Sequence, residues 1–454
     1  MNEHSRPTRN RREFLTDAFC GFGALGVAAM QAKAAAAAKA KSVIFLFMAG
    51  GPSHLETFDP KPLLNDLNGQ PRPKSFGEVK RQFIKGEPKL LGSKRTFRQY
   101  GQSGLWVSDL LPHTATCADD LAVIRSCQAD AFVHSAAQYQ LFTGRIIPGF
   151  PSMGSWLLYG LGSESQSLPG YVVMPDPGGT IEAGQPVYTN GFLPAKFQPN
   201  VFRAGKKPVL NLEMPAGVSP AQRRKTLDLV RELDQAQRMD DELSARLGTY
   251  DLAFRMQTEA PAVFDIAKES RAVQELYGVG DPVTDDYGRR CLLARRLVEK
   301  GVRMVVVVSG GPAISQWDAH EDIEENHLRM AKQTDKPIAG LLKDLKSRGL
   351  LDSTLVVWGG EFGRTPEAEN GKGRDHNNTG FTMWMAGGGV RGGVVAGATD
   401  EIGLRAVEEP HHLRDIHCTV LNQLGLEQNA LSYLHQGRRE RLTEIQGEVI
   451  RKVV

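Results

Sequence analysis

Six short apolar runs punctuate the chain, at residues 42–48, 121–125, 171–174, 302–308, 354–358 and 381–385. Most stop in glycine or proline: Gly50-Gly51-Pro52, Pro175-Asp176-Pro177-Gly178-Gly179, Ser309-Gly310-Gly311-Pro312, Gly359-Gly360 and Gly387-Gly388-Gly389. Continuous apolar runs too short for helices and closed by turn residues predict strands buried on both faces. Between them, residues 110–120, 134–145, 220–247, 289–300 and 326–346 predict helices: 134–145 opens on a polar group and closes on glycine, 220–247 carries three-to-four spacing, and 326–346 sets Ile338, Leu341, Leu342 and Leu345 on one face. Strand and helix in alternation imply an α/β fold, a mostly parallel central sheet with helices on both faces. Residues 62–108 and 176–210 read as irregular excursions. Such sheets gather ligands outside the carboxyl ends of their strands. The stretch 354–380 fits that rule best, running from a strand through Gly359-Gly360-Glu361 and a polar glycine-rich loop to Asp375-His376-Asn377.

Composition narrows the class. Apolar residues make up 41% and charged residues 24%, ample for a core, and the net charge is +3. No lysine–arginine block is interleaved with aromatics, so a nucleic-acid partner is not expected. Asn10-Arg11-Arg12-Glu13-Phe14-Leu15 resembles a twin-arginine export motif, followed by a mild apolar run over residues 18–30 and small residues up to Ala40. Thirteen residues at about 1.5 Å each do not span a roughly 30 Å hydrocarbon core, so a signal peptide is expected over residues 1–40 rather than an anchor. That places the protein in the periplasm or otherwise outside, carried folded by the twin-arginine machinery, with no membrane-spanning segment in its mature form. Cys117, Cys127, Cys291 and Cys418 show no paired spacing and are expected as buried thiols, with a Cys117–Cys127 bridge left open.

Polar clusters follow four predicted strands: Ser53/His54/Asp59, His134/Ser135, Asp318/His320, and Glu361 with Asp375/His376. Imidazole and carboxylate suit zinc, manganese or calcium, and there is no thiolate set to select a softer metal. Each residue has a plainer use. His320 and His134 stand where they would cap helices, His376 where it would bond loop backbone, and His54 where it would fix a turn. Arg364 fits a surface ion pair as well as an anion clamp, and His412 and His417 lie near a helix start.

The segment 335–358, a helix leading into Thr354-Leu355-Val356-Val357-Trp358, resembles the late helix–strand unit of sulfatases and nucleotide phosphodiesterases of the alkaline phosphatase superfamily. Phe142-Thr143-Gly144-Arg145 resembles the sulfatase segment after the nucleophile. From the twin-arginine signal to Gly447-Glu448-Val449 the chain is similar to the exported, sulfatase-like domain-of-unknown-function 1501 family.

The resemblance implies a sulfatase-like domain over residues 41–430, a helical insertion around 211–300 and a tail over 431–454. It places His376 where the superfamily has a metal-binding histidine, and Asp318 and His320 at a shortened Asp-x-x-x-His pair. Glu361-Phe362 replaces an Asp-His or Asp-Asn pair; the first strand ends in Gly50-Gly51 instead of aspartate, leaving His54 or Asp59 as substitutes. The nucleophile position falls on His134, beside Ser135. No Cys-x-Pro-x-Arg motif is present, which excludes formylglycine chemistry. The expectation is an exported hydrolase of small or polymeric phosphate- or sulfate-type anionic esters. It would hold one divalent metal (zinc, manganese or calcium) on Asp318, His320, Glu361 and His376, and act through His134 or Ser135. His54, Asp59, Asp375, Arg364 and His412 are further candidates for metal or substrate. The alternative is a degenerate relative that binds an anionic glycan or a partner protein at the same edge.

Overall fold

The computed structural model describes residues 38–454, apart from 78–82, 85, 204, 206, 211, 215, 236–240, 260, 312–315 and 444–446. The expected export segment thus lies outside the described residues, save its last three. No described helix is long and apolar enough to cross a membrane.

A nine-stranded sheet organises the chain. Its strands are β1 (Ser42–Met48), β2 (Leu121–Gln128), β3 (Tyr171–Met174), β4 (Asn200–Val201), β5 (Met304–Ser309), β6 (Thr354–Gly359), β9 (Phe381–Ala386), β10 (Val394–Ala396) and β11 (His411–His412). Their order is β10-β2-β9-β6-β1-β5-β3-β4, with β11 also beside β2. Every pairing is parallel except the two made by β9, which runs antiparallel to β2 and β6. A separate antiparallel hairpin is made by β7 (Gly363–Glu369) and β8 (Gly373–Asn377).

Period-two alternation divides the interior. Val43, Phe45 and Phe47 of β1 face one core; Ile44, Leu46 and Met48 face the other. The first core is covered by α1 (His134–Thr143), α2 (Met153–Leu161) and α5 (Leu413–Gln423). The second is covered by α3 (Asp285–Glu299) and α4 (Ile323–Ser347). All seven residues of β1 are buried, and each of the six apolar side chains from Val43 to Met48 contributes on the order of 1.5–3 kcal/mol of hydrophobic stabilisation to the sheet centre.

The sequence expectations need two corrections. The polar loop expected after Glu361 is the β7–β8 hairpin, turned at Asn370 and Gly371, which both adopt positive φ (52° and 81°). An Asn-Gly pair is the preferred turn for such a hairpin, and the run of charged residues around it concealed the strands. The helix expected over 110–120 is a tighter 3-10 turn confined to Thr114–Asp120. Cys117 and Cys127 lie in opposite cores across the sheet, and all four described thiols are free and buried.

Candidate metal centre

The parallel strands bring the loops after β1, β2, β5 and β6 to one edge. The β1 turn is built for close approach. Gly50 has φ +104°, and a Cβ there would stand 2.6 Å from the backbone nitrogen of Asp318. Trp317 N donates to Ala49 O at 2.9 Å, fixing the Asp318–His320 segment against that turn. The hairpin clamps the segment from the other side, through Arg374 N to Ala319 O (2.9 Å) and Ile323 N to Lys372 O (3.0 Å). His376 on β8 therefore faces Asp318, while α1 opens at His134 beside both. Val133 is the N-cap of α1 and makes no side-chain cap, so the His134 side chain is left for the site.

His134, Asp318, His320 and His376 converge, with one ligand atom from each lying within 4.8 Å of the others. Asp318 Oδ1 is 3.2 Å from His134 Nε2, 2.9 Å from His320 Nε2 and 3.3 Å from His376 Nε2. The other imidazole nitrogens are already committed. His376 Nδ1 is 2.7 Å from the Phe132 carbonyl, His134 Nδ1 is 2.7 Å from Glu361 Oε1, and His320 Nδ1 is 2.6 Å from Glu369 Oε2. A carbonyl or carboxylate oxygen accepts, so each Nδ1 carries the proton and each Nε2 presents a lone pair in the neutral ring. His320 Nε2 and His376 Nε2 are 3.0 Å apart, and His134 Nε2 is buried without a hydrogen bond of proper geometry.

Acceptors converging on one point require positive charge there. Asp318, Glu361 and Glu369 bring three negative charges, and Arg364, bonded to Asp318, brings one positive. With neutral imidazoles the group is two positive charges short. The titration tendencies follow. Burial opposes charge on His134, but bonds to Asp318 and Glu361 outweigh it and raise the group to about 9. His320 is pushed up by Asp318 and Glu369 against its own desolvation. His376, with burial dominant and Arg364 adding to it, is lowered to about 4. Burial would raise the Asp318 carboxyl, but Arg364 and the three imidazoles hold it far below the usual range. A divalent cation could supply in one ion the charge otherwise taken up as protons, and three nitrogens with one carboxylate oxygen suit such an ion. The donor set fits a metal.

Glu361 stands one layer back. Its carboxylate accepts from Gly50 N (3.1 and 3.2 Å) and Gln138 Nε2 (3.0 Å) as well as from His134. Arg364 is fully buried, donating to the carbonyls of Gly50, Gly51 and Arg374 and to Asp318. Asp375 accepts from the backbone of Phe83, Ile84 and His376, and forms a neighbouring acidic group with His320 and Glu369. His54 and Asp59 lie outside the cluster. His54 Nε2 donates to Gly403 O at 2.8 Å, and Asp59 pairs with Lys61 at 3.1 Å. Ser135 is half-buried on α1 and makes no side-chain bond among the described residues. His412 caps α5 in a capping box with Asp415 and reaches Asp130.

Several neighbours were not singled out from sequence. Phe83, from the first irregular excursion, sets its ring edge-on to His320 at 4.7 Å. Glu369 precedes the Asn370-Gly371 turn, the one signal that could have placed it opposite His320. Glu182 is exposed on the 176–188 loop; partial burial raises its carboxyl, His134 opposes, and Asp318 and Glu361 add to the rise.

Comparison with solved structures gives distant likenesses. PsFucS1 sulfatase from Pseudoalteromonas sp. is 12% identical, with 89% of this chain and 71% of that one covered at a TM-score of 0.38. The phosphonate monoester hydrolase SpPMH from Silicibacter pomeroyi is 12% identical over 75% and 71%, TM-score 0.35. The lipoteichoic acid synthase LtaP from Listeria monocytogenes is 11% identical over 92% and 77%, TM-score 0.36. No curated protein matches in sequence. Over residues 40–454 the chain matches the family described as "Protein of unknown function (DUF1501)", and it belongs to that family.

Proposed function

We propose that this is an exported, metal-dependent hydrolase of phosphate- or sulfate-type anionic esters. The observation that carries the reading is the convergence of three imidazole lone pairs and one carboxylate oxygen at the C-terminal edge of the sheet. His134, His320, His376 and Asp318 would hold one divalent ion, and the nitrogen majority favours zinc or manganese over calcium, which prefers six to eight oxygens. When bound, such an ion neutralises the nonbridging oxygens of an ester and lowers the pKa of water.

The chain supplies the rest. Glu361, Glu369 and the Phe132 carbonyl fix the tautomers of the three imidazoles. Arg364 keeps Asp318 ionised, and Phe362 and Phe83 shield the imidazole edges from water. His134 serves as a ligand in this reading, since its Nε2 faces Asp318. Ser135 offers a hydroxyl one residue away. Glu182, exposed on the 176–188 loop, would accept a proton from an attacking water.

The test is hydrolysis of 4-nitrophenyl phosphate, 4-nitrophenyl sulfate and a phosphonate monoester by zinc- or manganese-loaded protein. Turnover of one of them, lost in His376→Ala, is expected. A second reading, an anion-binding relative without turnover, draws on Phe362. Its buried ring, 4.7 Å from His134 and 4.5 Å from His376, occupies the flank where the resemblance leads one to expect a ligand. Metal binding with no turnover of any of the three esters would favour it.

A further inference from the structure

Gln138 is a fully buried amide on α1, four residues after His134. At that spacing the two side chains leave the helix on the same face. A buried amide is costly unless both of its ends are bonded, and here both are. Nε2 donates to Glu361 Oε1 at 3.0 Å, and Oε1 accepts from Ala183 N at 2.9 Å. An ionised carboxylate only accepts and a backbone N–H only donates, so the amide fits in one orientation.

The bond to Ala183 falls in a tight turn. Gly184 N donates to Ile181 O at 2.9 Å, which puts Glu182 and Ala183 at the two central positions. Ile181 is buried in the first core, as are Val187 and Tyr188 further on, while Glu182 is exposed. The turn is therefore held at its foot by Ile181 and at its second central residue by Gln138. From there the bonds run through Gln138 to Glu361 Oε1 and on to His134 Nδ1, each link 3.0 Å or shorter. Three segments distant in sequence meet at this one amide.

We infer that Gln138 is a positioning residue. It couples the 181–184 turn to the His134–Glu361 pair and so sets where Glu182 stands relative to a bound ion. The role in turnover rests on the ester-hydrolase reading, in which Glu182 accepts a proton from water. The coupling itself does not, and it can be measured without any substrate.

Hydrogen exchange followed by mass spectrometry, on metal-free and zinc-loaded protein, reads the coupling. Loading should fix His134, and through it Glu361 and Gln138, so exchange over residues 181–184 should slow by at least about threefold. Gln138→Met keeps the length of the side chain and loses both bonds, and loading should then leave that exchange within about 1.5-fold. A parent protein that binds zinc with unchanged exchange there overturns the inference, and that arm needs no variant.

Turnover tests the role. With an ester that the parent hydrolyses, Gln138→Met should lower kcat by about 100-fold, as for a displaced general base, and leave KM within about threefold. Glu182→Gln should do the same. The double variant should fall no more than about threefold below either single one, because both changes remove one function. An unchanged kcat, additive losses, or a zinc affinity more than about tenfold weaker in Gln138→Met overturns the assignment, the last by showing action on the ion through Glu361. If zinc slows exchange at 181–184 through Gln138 but no ester is turned over, the coupling stands and the hydrolase reading falls.

Discussion

Glu361 Oε1 lies 2.7 Å from Nδ1 of His134, at the opposite ring nitrogen from the one that faces Asp318. The carboxylate therefore orients the imidazole and fixes its proton without touching the point where the lone pairs meet. Carboxylates in this position raise the basicity of a metal-binding histidine.

Glu361→Gln tests that division of labour. Metal affinity should fall by about 10- to 100-fold, the usual cost of losing an outer partner. The visible spectrum of the cobalt-substituted protein should keep its band positions, because the ligands are unchanged. A changed band pattern would make Glu361 a ligand.

Metal uptake should release protons. His134 is held at about 9, so it is protonated at neutral pH without a metal and must deprotonate to bind one. Release should be clear at pH 7 and decline as pH rises through about 9. Titration in buffers of different ionisation enthalpy measures it, and pH-independent uptake without release would contradict the arrangement.

Acid should weaken the fold through histidines outside the cluster. Burial lowers both His54 and His417 to about 4, against about 6.5 in an unfolded chain. The unfolded state therefore binds more protons between those values, so their stabilisation is complete above about 6.5 and lost as pH falls through 4. Between pH 7.5 and pH 5 each should cost about 2 kcal/mol. Urea denaturation at the two pH values checks this, and His417→Gln should remove a good part of the difference.

The hairpin allows no side chain at its base. A Cβ on Gly373 would fall 1.7 Å from the carbonyl oxygen of His320, which is backbone and cannot swing away. Gly373→Ala should cost about 3 kcal/mol or more and move His376 from Asp318, so that melting temperature and metal affinity fall together. An alanine variant with unchanged affinity would mean that the hairpin does not position the site.

Much of the sheet was legible because its strands are buried on both faces and end in glycine, as at Met48 and Trp358. The order of strands was not, since a run such as Phe381–Ala386 reads the same in either direction, and only pairing with β2 and β6 shows it antiparallel. The rule that polar groups follow strand ends brought out His134, Asp318, His320 and His376. It also brought out His54 and Asp59, whose bonds go to a carbonyl and a lysine. Strand ends need such groups for structural reasons too, and sequence does not separate the two uses. Glu369 and Glu182 escaped because only the hairpin and the 176–188 loop carry them to the cluster.

The central claim is that a divalent ion belongs where the three imidazoles meet Asp318. Elemental analysis of the purified chain after loading with zinc or manganese, then exhaustive dialysis, tests it most directly. About one ion per chain is expected in the parent protein and none in His376→Ala of unchanged fold. A parent protein that retains no ion, with its fold intact, would contradict the claim and leave a cluster neutralised by protons alone.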